Sequence, residues 1–454
     1  MPCLYREWKS VKILLLLSAI PYEQGEAIEV VSHEVVRLMA TAGHDVHVQV
    51  LIREGWSVTS AERERYATDH FSAQAGVHLL PAIYLGDLIR PRSRMGNLVA
   101  HLAAIVRSLP GLRRYINPYL FPAIAAKPGV AAQVKAIRPD VIASIWSWEA
   151  LAASYDIPDV PKFVYYGNPN HKPPEAQFRY PDLFDIETSG PIDQLKFGIL
   201  KLLNRAREIQ HLRMMAACEA TANNALIDAR YYTAMGHPRS IYLQNMWPDA
   251  AGGPVFGGQP SGDGLVHICG SVGNLGATGN TFGLHYLGAE LMPRFRARLG
   301  DEPVVIDIFG GGKPRSSVAA ALRDPNIRLR GWVGDLNAEI VRSAAFLVLT
   351  NVYGFNVGNT RILLAWSLGA CVIAHRSSAL SMPEMVHGEN ALLGETADEI
   401  ADLVVQAIRD PDLRARVGRG GYETFCRYYR SETVVPRMLV EIDRTVQDFR
   451  QRYR

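Results

Sequence analysis

Cysteine is scarce in this chain. Its 454 residues hold five, Cys3, Cys218, Cys269, Cys371 and Cys426. They lie far apart, with no CxxC and no Cys/His zinc spacing, which removes a disulfide framework and a zinc finger from consideration. Cys269 and Cys371 stand inside apolar runs and read as small buried hydrophobes, a usage that fits a reducing compartment such as the cytoplasm. Charge of one sign is also missing: the net charge is +3, too little to argue for a nucleic-acid partner. No apolar run approaches the roughly 18 residues of a membrane span. The stretch from Lys9 to Ile20 has the basic flank and apolar core of a short signal sequence. It is followed by a glycine turn and helical periodicity, as a first core strand would be. There is no DxD flanked by apolar residues and no clustering of His, Asp and Glu, so the expectation is no metal and no cofactor.

What is present is alternation. Short, continuously apolar runs at 12–18, 45–52, 77–83, 140–145, 162–166, 219–223 and 240–244 are separated by helical stretches. A second set follows at 265–269, 304–309, 327–333, 346–350, 371–374 and 391–393. Runs apolar on both faces, alternating with helices, predict parallel, doubly wound sheets. Between the two sets, 251–264 is rich in Gly and Pro with almost nothing to bury, and reads as a linker. The expected fold class is therefore α/β, with two Rossmann-like domains, 1–252 and 264–429, facing a central cleft that is the default binding site. The charged helical end of the chain, 430–454, is expected to pack back on the first domain.

The most informative stretch is Gly354-Phe355-Asn356-Val357-Gly358-Asn359-Thr360-Arg361, followed by Ile362 to Ile373. It reads as a loop opening a helix after one strand and before another. The free N–H groups and the dipole of such a helix favour an anion. Arg361 in its first turn is placed to reach a bound diphosphate. Taken alone, Gly358-Asn359-Thr360 is equally a plain turn with an N-cap.

Ala42-Gly43-His44-Asp45-Val46 leads into the second expected strand, Arg138-Pro139-Asp140-Val141-Ile142 opens another, and Asn245-Met246-Trp247-Pro248-Asp249 closes the first half. With further signals along nearly the whole chain, they resemble the GT-B glycosyltransferases of the retaining, nucleotide-sugar-dependent kind (glycosyltransferase family four and its relatives), in which the corresponding motifs read "GH-D/E-V", "K/R-P-D-V-I" and "P-N-G-V-D". In the second half, Ile308-Phe309-Gly310-Gly311-Gly312 resembles "I-V-G-x-G". Arg330-Gly331-Trp332-Val333-Gly334-Asp335-Leu336 resembles "F-x-G-x-V-x-D-L", and His387-Gly388-Glu389-Asn390-Ala391-Leu392-Leu393 resembles "D-G-x-N-G-x-L".

There are departures. Where many relatives carry a pair of glutamates for the ribose and sugar hydroxyls, this chain has Asn356 and Leu364. Where they carry a diphosphate-binding Lys after the first strand of the second domain, the segment Gly273 to Thr281 has none. A subset of relatives fits better, on Asn280, Gly283-Leu284 and Pro293, with Arg361 at the position of a Lys.

The resemblance implies a metal-independent transfer in which Arg361 and backbone amides stabilise the leaving diphosphate. Donor-side candidates are Gly273, Asn280, Gly311, Lys313, Trp332, Val333, Asn356, Gly358, Asn359 and Thr360. Gly331-Trp332-Val333 matches the place where relatives hold the nucleobase; Trp332 either stacks on the base or packs. Gly310-Gly311-Gly312 is a phosphate cradle or a bare strand-to-helix turn, and Lys313 a ligand or a solvated surface residue. On the acceptor side, the loop Tyr166 to Pro174 offers Asn170 and His171. Relatives place a His after this strand, which makes His171, with Arg361, the catalytic candidate. Gly25 and Glu26 face the cleft or begin a surface helix. The stretch from Ile89 to Arg114 interleaves Arg92, Arg94, Arg107, Arg113 and Arg114 with apolar residues. It is a basic amphipathic surface for the inner face of a membrane, or a helix packed on its own domain.

The expected function is transfer of a sugar from a UDP- or GDP-sugar, used as substrate, to a saccharide, lipid-linked or small-molecule acceptor. The alternative is a non-catalytic member of the same fold that binds a glycan or nucleotide sugar, motivated by Asn356 and Leu364.

Overall fold

The computed structural model describes residues 10–53, 61–88, 94–106, 108, 116–258, 262–300 and 302–452. Two parallel sheets, each covered by helices on both faces, make up the chain. The first contains β1 (Lys12–Leu17), β2 (Asp45–Ile52), β3 (Val77–Leu79), β4 (Ile83–Tyr84), β5 (Val141–Ile145), β6 (Lys162–Tyr166), β7 (Ala220–Asn223) and β8 (Ser240–Tyr242). Its order is β3-β2-β1-β5-β6-β7-β8, with β4 extending β2 beyond β3. The second contains β9 (Val266–Val272), β10 (Val304–Phe309), β11 (Ile327–Gly331), β12 (Ala345–Val348), β13 (Val372–His375) and β14 (Leu392–Gly394), in the order β11-β10-β9-β12-β13-β14. The winding reverses between β1 and β5 in one sheet and between β9 and β12 in the other. Loops after these strands therefore splay apart and leave a crevice at each carboxyl edge.

The strands form where the sequence is apolar on both faces. Ile13 to Leu17 are fully buried, with odd positions in one core layer and Leu14 and Leu16 in the other. One expected strand divides: 77–83 becomes β3 and β4. Pro81 falls between them and has no N–H for the ladder. The Gly/Pro-rich connection is not idle in its described part. Val255 N–H donates to the Leu368 carbonyl at 2.9 Å, and the Phe256 ring covers Gly369.

Two further links join the halves. The helix Ser431–Arg452 lays Val434, Val435, Met438, Leu439, Ile442 and Val446 into the core of the first domain. In the other direction, the helix Lys172–Arg179 and the turn Pro181–Phe184 reach out of the first domain. Phe184 is buried in the core of the second, edge-on to Phe282 with ring centres 5.1 Å apart. Gln177 Nε2 donates to Thr278 Oγ1 at 2.9 Å, and Ser317 Oγ to the Leu183 carbonyl at 2.9 Å.

Part of the basic amphipathic stretch is the helix Arg94–Val106, which exposes Val99, Leu102 and Val106. Arg92, Arg107, Arg113 and Arg114 lie outside the described residues.

Candidate active site

The loop from β12 to the helix Thr360–Ser367 is held from within. Asn351 Nδ2 donates to the Val357 carbonyl at 3.0 Å, and Asn359 Nδ2 to Thr350 Oγ1 at 2.6 Å. Asn359 also caps the helix, its Oδ1 accepting from the Arg361 N–H at 3.1 Å. Its carboxamide is thus used on both sides, and what Asn359 can offer a ligand is its backbone. Among the described residues, the amides of Gly358, Asn359 and Thr360 donate to no protein acceptor. Unpaired N–H groups at a helix start are an anion site.

Arg361 points from this helix toward the loop after β9. A Cβ on Gly273 would lie 3.2 Å from Arg361 Nη2, and Gly273 has φ 101, so both space and backbone call for glycine here. Among the described residues the Arg361 guanidinium has no carboxylate and no hydrogen-bond partner. Burial alone draws its pKa from 12.5 down to about 10. A cation set into protein without a counter-charge is costly until an anion arrives.

The glycine turns behave differently from a simple cradle. Gly273 N–H donates to Phe309 O at 3.1 Å and Gly310 N–H to Gly331 O at 2.8 Å, so the sheets consume both. A Cβ on Gly310 would come within 2.1 Å of the Gly273 carbonyl, which is how closely the two loops meet. Among the described residues, the amides of Asn274, Gly311 and Gly312 remain without a protein acceptor. Asn280 is buried, and its Nδ2 donates to the Asn274 carbonyl at 2.6 Å. It holds the loop in shape, since the same Nδ2 also donates to the Val272 carbonyl at 3.5 Å.

Trp332 is 78% exposed, with its indole Nε1 only 2.6 Å from the point a Cβ on Gly311 would occupy. It is a ring standing free beside the glycine turn rather than a packed one. Val333 is half-buried and Lys313 exposed. Asn356 is buried, and its Oδ1 has no partner.

In the first domain His171 sits at the start of the helix Lys172–Arg179 and is buried. Its Nε2 lies 3.6 Å from Glu208 Oε1 and its Nδ1 has no partner. Desolvation by burial lowers its pKa, which keeps the ring neutral near pH 7. It borders a cavity of about 460 Å³ whose other walls include Glu175, Arg179, Lys201, Arg205 and Glu208. Among the described residues no hydrogen bond or ion pair joins His171 to Arg361. Asn170 Oδ1 accepts from the Tyr166 hydroxyl. Gly25 and Glu26 begin the helix Ala27–Thr41: the Glu26 N–H donates to Glu29 Oε2 at 2.7 Å, and a Cβ on Gly25 would collide with that carboxylate. Glu26 is exposed, while Glu29 is buried against Arg63 at 2.9 Å.

Two residues at strand ends escaped the sequence reading. Asn224 follows β7 and meets the second domain: a Cβ on Gly358 would lie 2.9 Å from its carbonyl and from its Oδ1. Glu149 follows β5, is buried, and has Oε1 4.0 Å from Arg53. Burial raises its pKa to about 7. Both were findable as polar residues just past the carboxyl end of a parallel strand.

Residues 266–410 match the family model described as glycosyl transferases group 1. No curated protein sequence matches the chain. Among solved structures, α,α-trehalose 6-phosphate synthase from Burkholderia multivorans is similar at 11% identity and a TM-score of 0.60, covering 98% of this chain and 99% of that one. Anabaena HepE in complex with UDP and glucose is similar at 11% identity and 0.55, covering 95% and 99%. Sucrose-phosphate synthase from Thermosynechococcus elongatus is similar at 12% and 0.55, covering 97% and 99%. At such identities the likeness is one of fold. The chain has the GT-B fold, two parallel-sheet α/β domains, and residues 266–410, within the second, match the glycosyl transferases group 1 model.

Proposed function

We propose that the protein transfers a sugar from a nucleoside-diphosphate sugar, bound by the second domain, to a saccharide, lipid-linked or small-molecule acceptor presented by the first. The observation that carries this reading is the half-buried, unpaired Arg361 guanidinium beside the open amides of Gly358, Asn359 and Thr360. As the anomeric C–O bond breaks, negative charge builds on the leaving diphosphate. Fixed donors aimed at that charge lower the barrier, each by about 3 kcal/mol where such groups have been removed. Asn274, Gly311 and Gly312 add amides from the facing turns. Trp332 supplies a face for the base. The unpartnered Asn356 Oδ1 accepts from a hydroxyl of the sugar or ribose, in place of a carboxylate. A UDP-sugar is the first donor to test, since a structure of the same fold holds UDP and glucose.

The acceptor loses a proton as it attacks. His171, kept neutral by burial, is the group we assign to that side. Retention of anomeric configuration is part of the proposal on the strength of the family resemblance alone. The exposed Val99, Leu102 and Val106 of the helix Arg94–Val106 form the face we assign to a membrane surface. Among the described residues no helix is long and apolar enough to cross one.

The test is release of nucleoside diphosphate from a panel of UDP- and GDP-sugars, with NMR of the anomeric product. Saturable donor binding without turnover on any acceptor would instead support a sugar-nucleotide-binding member. No binding of any donor would refute both readings. Sedimentation with anionic vesicles, and its loss in Leu102→Glu, checks the membrane face.

A further inference from the structure

The first sheet carries a second cluster of chemistry-bearing side chains, at its amino edge, away from the strand-end loops described above. Asp45 and His47 lie two apart on β2 and so share a face. His78 on the neighbouring β3 is the register partner of His47. The two imidazoles stack, with ring centres 4.5 Å apart and planes 20° from parallel. Both direct Nε2 at one carboxylate oxygen: His47 Nε2 is 3.3 Å and His78 Nε2 3.0 Å from Asp45 Oδ1. The three atoms lie within 4.8 Å of one another. The sequence shows no such cluster because about thirty residues separate His47 from His78; only the β2–β3 register unites them.

We propose that Asp45, His47 and His78 form a three-ligand site for a divalent transition-metal ion, with zinc the best match. Ligands about 2.0–2.1 Å from a tetrahedral centre stand about 3.3 Å from one another. The two nitrogen–oxygen separations, 3.3 and 3.0 Å, fit that edge. Asp45 Oδ1 and His47 Nε2 are buried, and neither has a hydrogen bond of good geometry to satisfy it. Two imidazoles and one carboxylate are borderline donors that suit zinc and cobalt over magnesium or calcium. The charged group that faces the site from β1 is Lys12, whose Nζ lies 3.8 Å from the other oxygen, Asp45 Oδ2, and donates to the Ile137 carbonyl. It orients the carboxylate and, being a cation, leaves the site weaker than a four-ligand structural zinc. The fourth position opens to solvent beside half-exposed His78. A bound ion would clamp the edge strand β3 onto β2. The role is structural and independent of sugar transfer.

The experiment uses the untagged full chain stripped with a chelator and titrated with cobalt(II) and zinc(II). The expected result is one equivalent of cobalt with the visible bands of a four-coordinate site, displaced by zinc, and a Tm that rises with zinc concentration. His78→Ala, at a half-exposed position, should leave the metal-free Tm unchanged and abolish both signals; Asp45→Asn should weaken them. No saturable binding, or binding that survives His78→Ala and His47→Ala alike, overturns the proposal.

Discussion

Replacing Arg361 with alanine separates the cost of the cation from its use. In the free protein the guanidinium is half-buried and has no acid beside it among the described residues; burial alone takes its pKa from 12.5 to about 10. Because this base has a depressed folded pKa, the folded state is penalised at every pH below about 10. Each unit corresponds to about 1.4 kcal/mol, and after discounting the exposed part of the side chain the penalty is about 1–3 kcal/mol. Alanine removes it along with some packing, so the variant should melt at or above the parent temperature.

Ligand binding should move the opposite way. A charge-assisted hydrogen bond to diphosphate is worth about 1.5–3 kcal/mol, a loss in UDP affinity of roughly 10- to 150-fold. Arg361→Lys should recover part of it, since an ammonium keeps the charge but not the forked geometry. Uridine, which has no diphosphate, should bind parent and variant alike. Isothermal titration with UDP, GDP and uridine, paired with thermal melts, reads all of this. Equal UDP affinity in parent and Arg361→Ala, or a clear fall in Tm without a change in affinity, refutes the assignment of the diphosphate to this guanidinium.

Trp332→Ala should lower UDP affinity by about 1–3 kcal/mol through loss of base stacking, and UDP should quench the parent's tryptophan fluorescence more than the variant's; identical titrations would return Trp332 to the surface. Glu149 has its pKa raised by burial from 4.5 to about 7, so the folded state holds a proton that the unfolded chain has released; stability should fall as pH rises from about 4.5 to about 7 and then level off. Glu149→Gln should remove that slope and gain up to roughly 3 kcal/mol above pH 7 in urea unfolding, and parallel curves for the two proteins would contradict the buried-acid account. Gly358→Ala places a methyl group 2.9 Å from the Asn224 carbonyl at the contact between domains. It should slow turnover more than it weakens UDP binding, and a fall in UDP affinity with unchanged turnover would argue that the domains need not meet there.

The strands were legible because burial on both faces leaves an unbroken apolar signature. Lys12–Leu17 and Val304–Phe309 fall where the runs placed them. Pro81 shows the limit of that signal: the hydrophobic stretch runs on while the ladder stops. The site was legible as a place rather than as a set of contacts. Residue type says that Asn280 and Asn359 can bond to something; only coordinates show that each bonds to its own loop. In the same way, glycine at Gly273 and Gly310 suggests open amides, yet neighbouring strands take both. The crossing of Phe184 into the other core was illegible for a different reason. A Phe in a turn has the same sequence signature whichever domain buries it, and the partner, Phe282, is remote along the chain.

These observations bear on the missing carboxylates. A site that recognises its ligand through acidic side chains loses that recognition when they become Asn356 and Leu364. Here the polar side chains around the crevice serve mostly to fix backbone: Asn351, Asn359 and Asn280 each lock a loop, and the loops present amides. Backbone amides survive every substitution except one by proline, and they cost little reorganisation when charge develops. The side chain left to supply charge from this loop is Arg361, which has no acid beside it among the described residues. A glutamate at position 356 would put a carboxylate into the same loop, and its negative charge would oppose an incoming diphosphate. Asn356→Glu should therefore lower the affinity for UDP, read by the same titration, and unchanged affinity would show that position 356 lies clear of the diphosphate.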